Sequence, residues 1–254
     1  MVLGVVGVGL ATLLTLVGNT AASAAPSMSS FACTPVLITV AGSNERDASP
    51  VMDAIGKEWS RQKQLAPFTA KLATIPVDYP AQPWTRYVDI RKVTVALAIP
   101  SSRVTAGINW DGLTRSENVG VEQLQGYISQ ARAHCPNRFI GIVGYSQGAD
   151  VVSRTLTERK IPNHDRIAVV LLGNPSYDDN EGSGGIRPTL HVATYRVPRD
   201  IATANMCLQH DPICRFSLKD LPGLLNGTSG HYKYKDPSNV AQVVQWMYKR
   251  AASS

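Results

Sequence analysis

The sequence predicts an α/β domain, a central and mostly parallel sheet flanked by helices, in a single compact unit. Three observations predict it. Short apolar runs of strand length alternate with longer stretches of helical spacing. Turn-forming Gly, Pro, Asn and Ser residues separate them. Setting aside an apolar N-terminal segment leaves roughly 230 residues, enough for one sizeable domain, with no internal repeat. Strands that alternate with helices pair in parallel and carry helices on both faces.

The elements follow in order. Residues 1–25 hold no charged side chain, and the apolar run MVLGVVGVGLATLLTLVG leads into AASAAP. This is the pattern of a secretory signal peptide, with Ala22-Ser23-Ala24 as the small-residue cleavage site and the cut after Ala24. The run is also just long enough to span a bilayer as a retained anchor. Residues 25–32 read as a linker and 33–254 as the folded domain. Val36–Val40 is a buried strand, followed by a turn over Ala41–Glu45. A helix is expected from Ser49-Pro50 through Trp59 to about Gln64, and a second strand over Ala70–Val77, entering the Pro-rich Tyr79–Pro83. Val121, Leu124, Ile128 and Ala131 share one face of a helix over Val119–His134, which Cys135-Pro136 ends. Arg138–Gly144 is a strand, Gln147–Lys160 a helix stopped by Pro162, and Ile167–Leu172 and Leu190–Val197 are further strands. A helix over Asp236–Ala251 turns Val240, Val243, Val244 and Met247 inward.

Composition narrows the function. Hydrophobic residues make up 44% and charged residues 17%, which suits a packed core and excludes disorder. The formal charge of +6 fits first an ordinary solvated surface with a modest basic excess, and as the alternative contact with anionic membrane or cell-wall surfaces. The basic residues are scattered without interleaved aromatics, so no nucleic-acid partner is expected. Cys33, Cys135, Cys207 and Cys214 form an even set in an exported chain, which points to two disulfides. Of the three pairings, closeness in sequence favours Cys207 with Cys214, leaving Cys33 with Cys135. Neither spacing suits zinc, and no metal site is expected. Asp178–Glu181 is acidic but lacks the spacing of a calcium loop, and Asn226-Gly227-Thr228 is a glycosylation sequon.

The chemistry centres on Gly144-Tyr145-Ser146-Gln147-Gly148, a G-x-S-x-G motif between an apolar strand and a helix. A tight strand-to-helix turn of this kind projects a serine hydroxyl from the sheet, and the flanking glycines let strand and helix pass closely. A serine nucleophile needs a base, and the base needs an orienting carboxylate, in the chain order Ser, acid, His. His164 follows the motif helix too soon and His191 opens a strand. His210 adjoins Asp211, whereas His231 lies in a loop just before the last helix, where a base is needed. Asp211, bracketed by Cys207 and Cys214, is the favoured acid, because a stapled loop preorganises the carboxylate; Asp200 is the rival. Oxyanion donors are expected from the backbone N–H of Gln147 and from Ser43 after the first strand.

With these pieces assembled, the chain resembles the cutinase family of serine esterases, specifically the actinobacterial cutinase-like envelope enzymes. The resemblance rests on Gly42-Ser43-Asn44-Glu45, Cys135-Pro136, the serine motif, Cys207 to Asp211-Pro212-Ile213-Cys214, and His231. It implies the α/β-hydrolase type of fold, a triad of Ser146, Asp211 and His231, oxyanion donors Ser43 and Gln147, both disulfides and no cofactor. Two departures stand out: Ala41 precedes Gly42 where an arginine is common, and Phe216–Tyr234 is longer and more polar than an apolar flap. The expected function is hydrolysis of carboxylic esters with lipid-like or medium-chain acyl groups by a secreted or envelope-associated monomer. Leu218, Leu221, Leu224 and Leu225 are candidates to line an acyl groove or to join the core. The alternatives are a phospholipase or thioesterase acting on envelope lipids, and a binding protein that has lost turnover.

Overall fold

In the computed structural model the described residues are 33–46, 49–62, 72–83, 89, 109–159, 161, 163–178, 184–190 and 192–253. Their strands, β1 (Val36–Val40), β2 (Ala73–Pro76), β3 (Ile140–Tyr145), β4 (Ile167–Leu172) and β5 (Ala202–Met206), form one sheet in the order β2-β1-β3-β4-β5. Every pairing is parallel, with Val36 opposite Ala73 on one side and Ile140 on the other. The helices are α1 (Pro50–Trp59), α2 (Trp110–His134), α3 (Gln147–Glu158), α4 (Ile186–Thr189), α5 (Leu221–Asn226) and α6 (Pro237–Ala252). The expected α/β class therefore holds.

The central strands are apolar throughout because both faces are covered. Val36, Ile38 and Val40 of β1 pack with Ile140, Ile142 and Val169 against Leu124 and Ile128 of α2 and Val151 and Val152 of α3. The alternate residues Leu37, Val143, Val170 and Leu172 meet Ile55 and Trp59 of α1 and Val243, Val244 and Met247 of α6. Each such side chain contributes about 1.5–3 kcal/mol when fully buried, so these two layers hold the sheet rigid under the site. The Cys33–Cys135 disulfide ties the approach to β1 to the end of α2, and Cys207–Cys214 closes a loop after β5.

Several boundaries differ from expectation for identifiable reasons. The last strand is β5 at Ala202–Met206, not Leu190–Val197. The earlier segment spends its polar groups elsewhere: Ala193 O accepts from Arg187 Nη1, and Tyr195 N–H donates to Ser176 Oγ. β5 pairs with β4 at the sheet edge through small, half-buried residues, Ala202 and Ala204, whose weak strand preference hid it. Helix α2 starts at Trp110, capped by Asn109 Oδ1 accepting from Gly112 N–H, nine residues before the expected Val119. Its early turns turn inward with Ser116 and Glu117 rather than apolar residues, so periodicity does not reveal them. Helix α1 is capped by Ser49 Oγ on Met52 N–H and ends at Trp59, before the polar Ser60, Arg61 and Gln62; the expected end at Gln64 lies outside the described residues. Strand β2 starts at Ala73 rather than Ala70, and the other elements match their expected ends to within two residues. The signal and linker segments (1–24, 25–32), residues 70 and 71, Pro162, residues 179–181 and His191 lie outside the described residues. Among the described residues, no helix is long and apolar enough to cross a membrane.

Candidate active site

The chain runs from β1 outward to β2 and then returns to β3 on the opposite side of β1. That reversal opens a crevice beyond the C-terminal ends of β1 and β3, the place where parallel sheets bind ligands. Gly42 and Ser43 leave β1 on one side of it, and Ser146 leaves β3 on the other. Ser146 has φ 54° and ψ −121°, a strained conformation for a non-glycine residue, at the start of α3. Its N–H donates to Leu172 O at 2.8 Å, which braces the turn against β4. The motif glycines are sterically required: a Cβ on Gly148 would stand 2.2 Å from Val40 O, and one on Gly144 would stand 2.6 Å from Gly148 O.

His231 stands in a 3-10 turn over Gly230–Lys235 that leads into α6. Its Nε2 is 3.0 Å from Ser146 Oγ, and its Nδ1 is 2.9 Å and 3.0 Å from Asp211 Oδ1 and Oδ2. The Asp211 carboxylate is fully buried, inside the loop that Cys207–Cys214 closes. It also accepts from Ile213 N–H at 2.9 Å and from Tyr234 OH at 2.8 Å. A buried carboxylate so supplied with donors keeps its orientation. The loop carrying His231 is tied to the one carrying Asp211, since Gly230 N–H and Ser229 Oγ both donate to His210 O.

Ser43 and Gln147 face each other across the crevice. The Ser43 hydroxyl donates to Gln147 Oε1 at 3.3 Å, while Gln147 Nε2 is buried without a partner among the described residues. A half-turn of that amide makes Gln147 the donor and releases the Ser43 proton towards the crevice. The turn itself is closed by Glu45 N–H donating to Gly42 O at 3.2 Å.

The structure thus gathers Ser146, His231, Asp211, Ser43 and Gln147 at one end of the sheet. It separates the rivals from them. Asp200 is exposed and pairs with His164 Nε2 at 2.9 Å, and the His210 ring turns to Asp220 at 3.0 Å. The four leucines divide: Leu221 and Leu224 are buried, whereas Leu218 and Leu225 are exposed.

Sequence reasoning passed over four supports of this site. Tyr145 stacks on the His231 ring at 4.8 Å and donates its hydroxyl to His231 O at 2.8 Å. Burial, with Glu45 and Asp211 nearby, raises its phenol well above the usual range, so it remains a donor. Tyr234, fully buried, holds Asp211 from behind and accepts from Leu208 N–H at 3.1 Å. Gly173, after β4, has φ 58°, and a Cβ there would lie 2.9 Å from both Asp211 Oδ2 and His231 Nδ1. The fourth support is a buried ion cluster at the first turn of α3. Asp150 accepts from Arg187 Nε at 2.5 Å and Ser176 Oγ at 2.8 Å. Glu117 of α2 accepts from Arg187 Nη2 at 2.8 Å and Arg154 Nη1 at 3.2 Å. The Tyr195 ring stacks on both guanidiniums. Burial pushes the Glu117 carboxyl up to about 7, against the downward pull of Arg187 and Arg154. The one available signal was the pair of tyrosines flanking the key residues, in Gly144-Tyr145-Ser146 and His231-Tyr232-Lys233-Tyr234.

Comparison with known proteins agrees with the α/β fold. Two solved structures share the fold. A cutinase-like protein from Cryptococcus sp. superposes with a TM-score of 0.56 at 16% identity, over 87% of this chain and 94% of the other. The catalytic core of acetyl xylan esterase from Trichoderma reesei gives 0.57 at 15% identity, over 86% and 100%. Carboxylesterase Culp1 of Mycobacterium bovis and Mycobacterium tuberculosis is 32% identical over 107 residues, 41% of this chain. The match spans about half the length of those relatives, 47%. The Cutinase family model matches residues 32–251, nearly all of the described domain, and the chain belongs to the Cutinase family.

Proposed function

We propose that this protein is an exported serine esterase that hydrolyses carboxylic esters through an acyl-enzyme on Ser146. The observation that carries the reading is the continuous hydrogen-bond path from Ser146 Oγ through His231 to Asp211. As the ester enters, His231 Nε2 takes the Ser146 proton while Oγ bonds to the carbonyl carbon. Asp211 holds Nδ1–H and stabilises the imidazolium. The negative charge on the former carbonyl oxygen faces the Gln147 N–H and Ser43. The C–O bond to the alcohol then breaks, and His231 returns its proton to the departing alkoxide. Water attacks the acyl-enzyme, again giving its proton to His231. The acid leaves and Ser146 regains its hydrogen.

The acyl group is proposed to be lipid-like or of medium length. Leu218 and Leu225 are exposed on the segment that Tyr232 OH ties to the His231 turn through Leu224 O, and so offer apolar surface to an acyl chain. The name of the acetyl xylan esterase neighbour makes acetyl esters the rival substrate. Export is supported by two disulfides and by the signal-like N-terminus. Ser146→Ala is expected to abolish p-nitrophenyl ester hydrolysis and fluorophosphonate labelling while leaving the melting temperature near that of the native protein. Substantial residual turnover would sink the assignment, and an unlabelled native Ser146 would favour a binding protein. A series of p-nitrophenyl esters then decides the acyl class, since exclusive use of acetate excludes the lipid-like reading.

A further inference from the structure

The turn that carries Ser43 is held by a side chain to which the reaction as described gives no role. Glu45 Oε2 accepts from Gly42 N–H at 3.1 Å and from Ser49 Oγ at 2.7 Å. Ser49 in turn caps α1 through Met52 N–H at 3.2 Å. One carboxylate oxygen therefore joins the turn after β1 to the end of a helix that is packed into the core. The turn needs such an anchor. Asn44 sits at φ 66°, in the left-handed region, with its N–H on Ala81 O at 2.6 Å. Gly42 lies directly against the nucleophile, where a Cβ would meet Tyr145 Cδ1 at 2.8 Å and Ser146 Cβ at 3.2 Å. A small rotation of this turn would therefore displace the Ser43 N–H relative to Ser146.

We infer that Glu45 is a positioning residue, whose Oε2 fixes the Gly42–Glu45 turn so that Ser43 points at the oxyanion. The inference rests on the esterase reading above. Burial raises the Glu45 carboxyl above its ordinary value, against the lowering effect of its two donors. A half-buried acid kept at this position is consistent with a structural demand for an acceptor. The helix N-terminus at Ser49 also favours negative charge there.

Three variants separate reach from charge. Glu45→Ala removes the acceptor. Its kcat on p-nitrophenyl butyrate is expected to fall about 30–100-fold with KM within about threefold, somewhat less than loss of an oxyanion donor itself. Glu45→Asp keeps the charge but is one methylene too short to reach both donors, so kcat should fall about tenfold. Glu45→Gln loses the charge but keeps an oxygen for both donors, and should restore kcat to within about threefold of native. Should Glu45→Ala fail to fold, the Asp and Gln variants carry the test. Native kcat in Glu45→Ala or Glu45→Asp overturns the inference, as does a Gln variant no better than Asp. A fall in melting temperature with kcat intact does so as well, because it assigns Glu45 to holding α1 alone. If the native protein itself neither hydrolyses esters nor labels at Ser146, the esterase reading fails instead.

Discussion

Asp211→Asn is the sharpest perturbation of the proposed mechanism, because it changes charge and almost nothing else. The carboxylate accepts from Ile213 N–H, Tyr234 OH and His231 Nδ1, all between 2.8 and 3.0 Å. An asparagine can satisfy the same neighbours. Its carbonyl takes the Oδ1 position opposite Ile213 N–H. Its amide takes the Oδ2 position and donates to Tyr234 OH, whose proton turns to Met206 O at 3.2 Å. The opposite orientation sets two donors face to face and costs about 1–3 kcal/mol, so the first is selected. Stability should therefore change by no more than about 1–2 kcal/mol. Catalysis should change far more. The imidazolium formed at His231 loses a charge partner about 4 Å away, centre to centre, worth about 4 kcal/mol at an effective dielectric near 20. That corresponds to roughly 10³-fold in rate. Loss of the tautomer preference carries the fall towards about 10⁴-fold, the effect seen when a Ser-His-Asp triad loses its acid. Steady-state hydrolysis of p-nitrophenyl butyrate beside a thermal melt measures both effects. A fall in kcat/KM below about 30-fold in a folded variant would refute the claim that Asp211 supports the charged histidine.

Two further predictions address the supports of the site. Gly173→Ala forces a side chain onto a residue at φ 58° and places its Cβ 2.9 Å from Asp211 Oδ2. It should cost about 1–3 kcal/mol of stability and lower kcat about 10–100-fold, and native kinetics would show that the acid and base do not need this exact spacing. Glu117 has a folded pKa of about 7, above its ordinary 4.5. The folded state thus holds the extra proton between those values, so this group's contribution is greatest below about pH 4.5 and is lost as the pH rises towards 7. Glu117→Gln removes that titration. Its melting temperature should improve relative to native across this window, and a difference independent of pH would contradict the reading.

Much of the site was legible because its chemistry is written locally. The serine motif announces itself by five adjacent residues, and Asp211 is marked by the cysteines on either side. His231 could be chosen by elimination, since the other histidines occupy unsuitable places along the chain. The remaining supports have no local mark. Gly173 is an ordinary glycine until Asp211 and His231 converge on it from segments 38 and 58 residues away. Glu117, Asp150, Arg154 and Arg187 carry no local sign of burial, because burial of a charge depends on partners that only folding assembles. The same cluster explains the misplaced strand. Leu190–Val197 has strong strand composition, but its backbone is engaged by Arg187 and Ser176. The plainer Ala202–Met206 takes the open edge of β4.

By itself, the sequence determined the α/β class, the order of the main elements, the nucleophile motif and a short list of partners. These follow from side-chain periodicity and from spacing along the chain, which act over a few residues. The tertiary structure decided which side chains hold the acid and the base in place, which polar residues are buried, and which segment completes the sheet. Those outcomes depend on distances between remote segments and on competition for the same hydrogen-bond partners. Glu45 belongs to this second group: four residues separate it from Ser49 in the chain, but its effect on the site depends on the packing of Gly42 against Ser146.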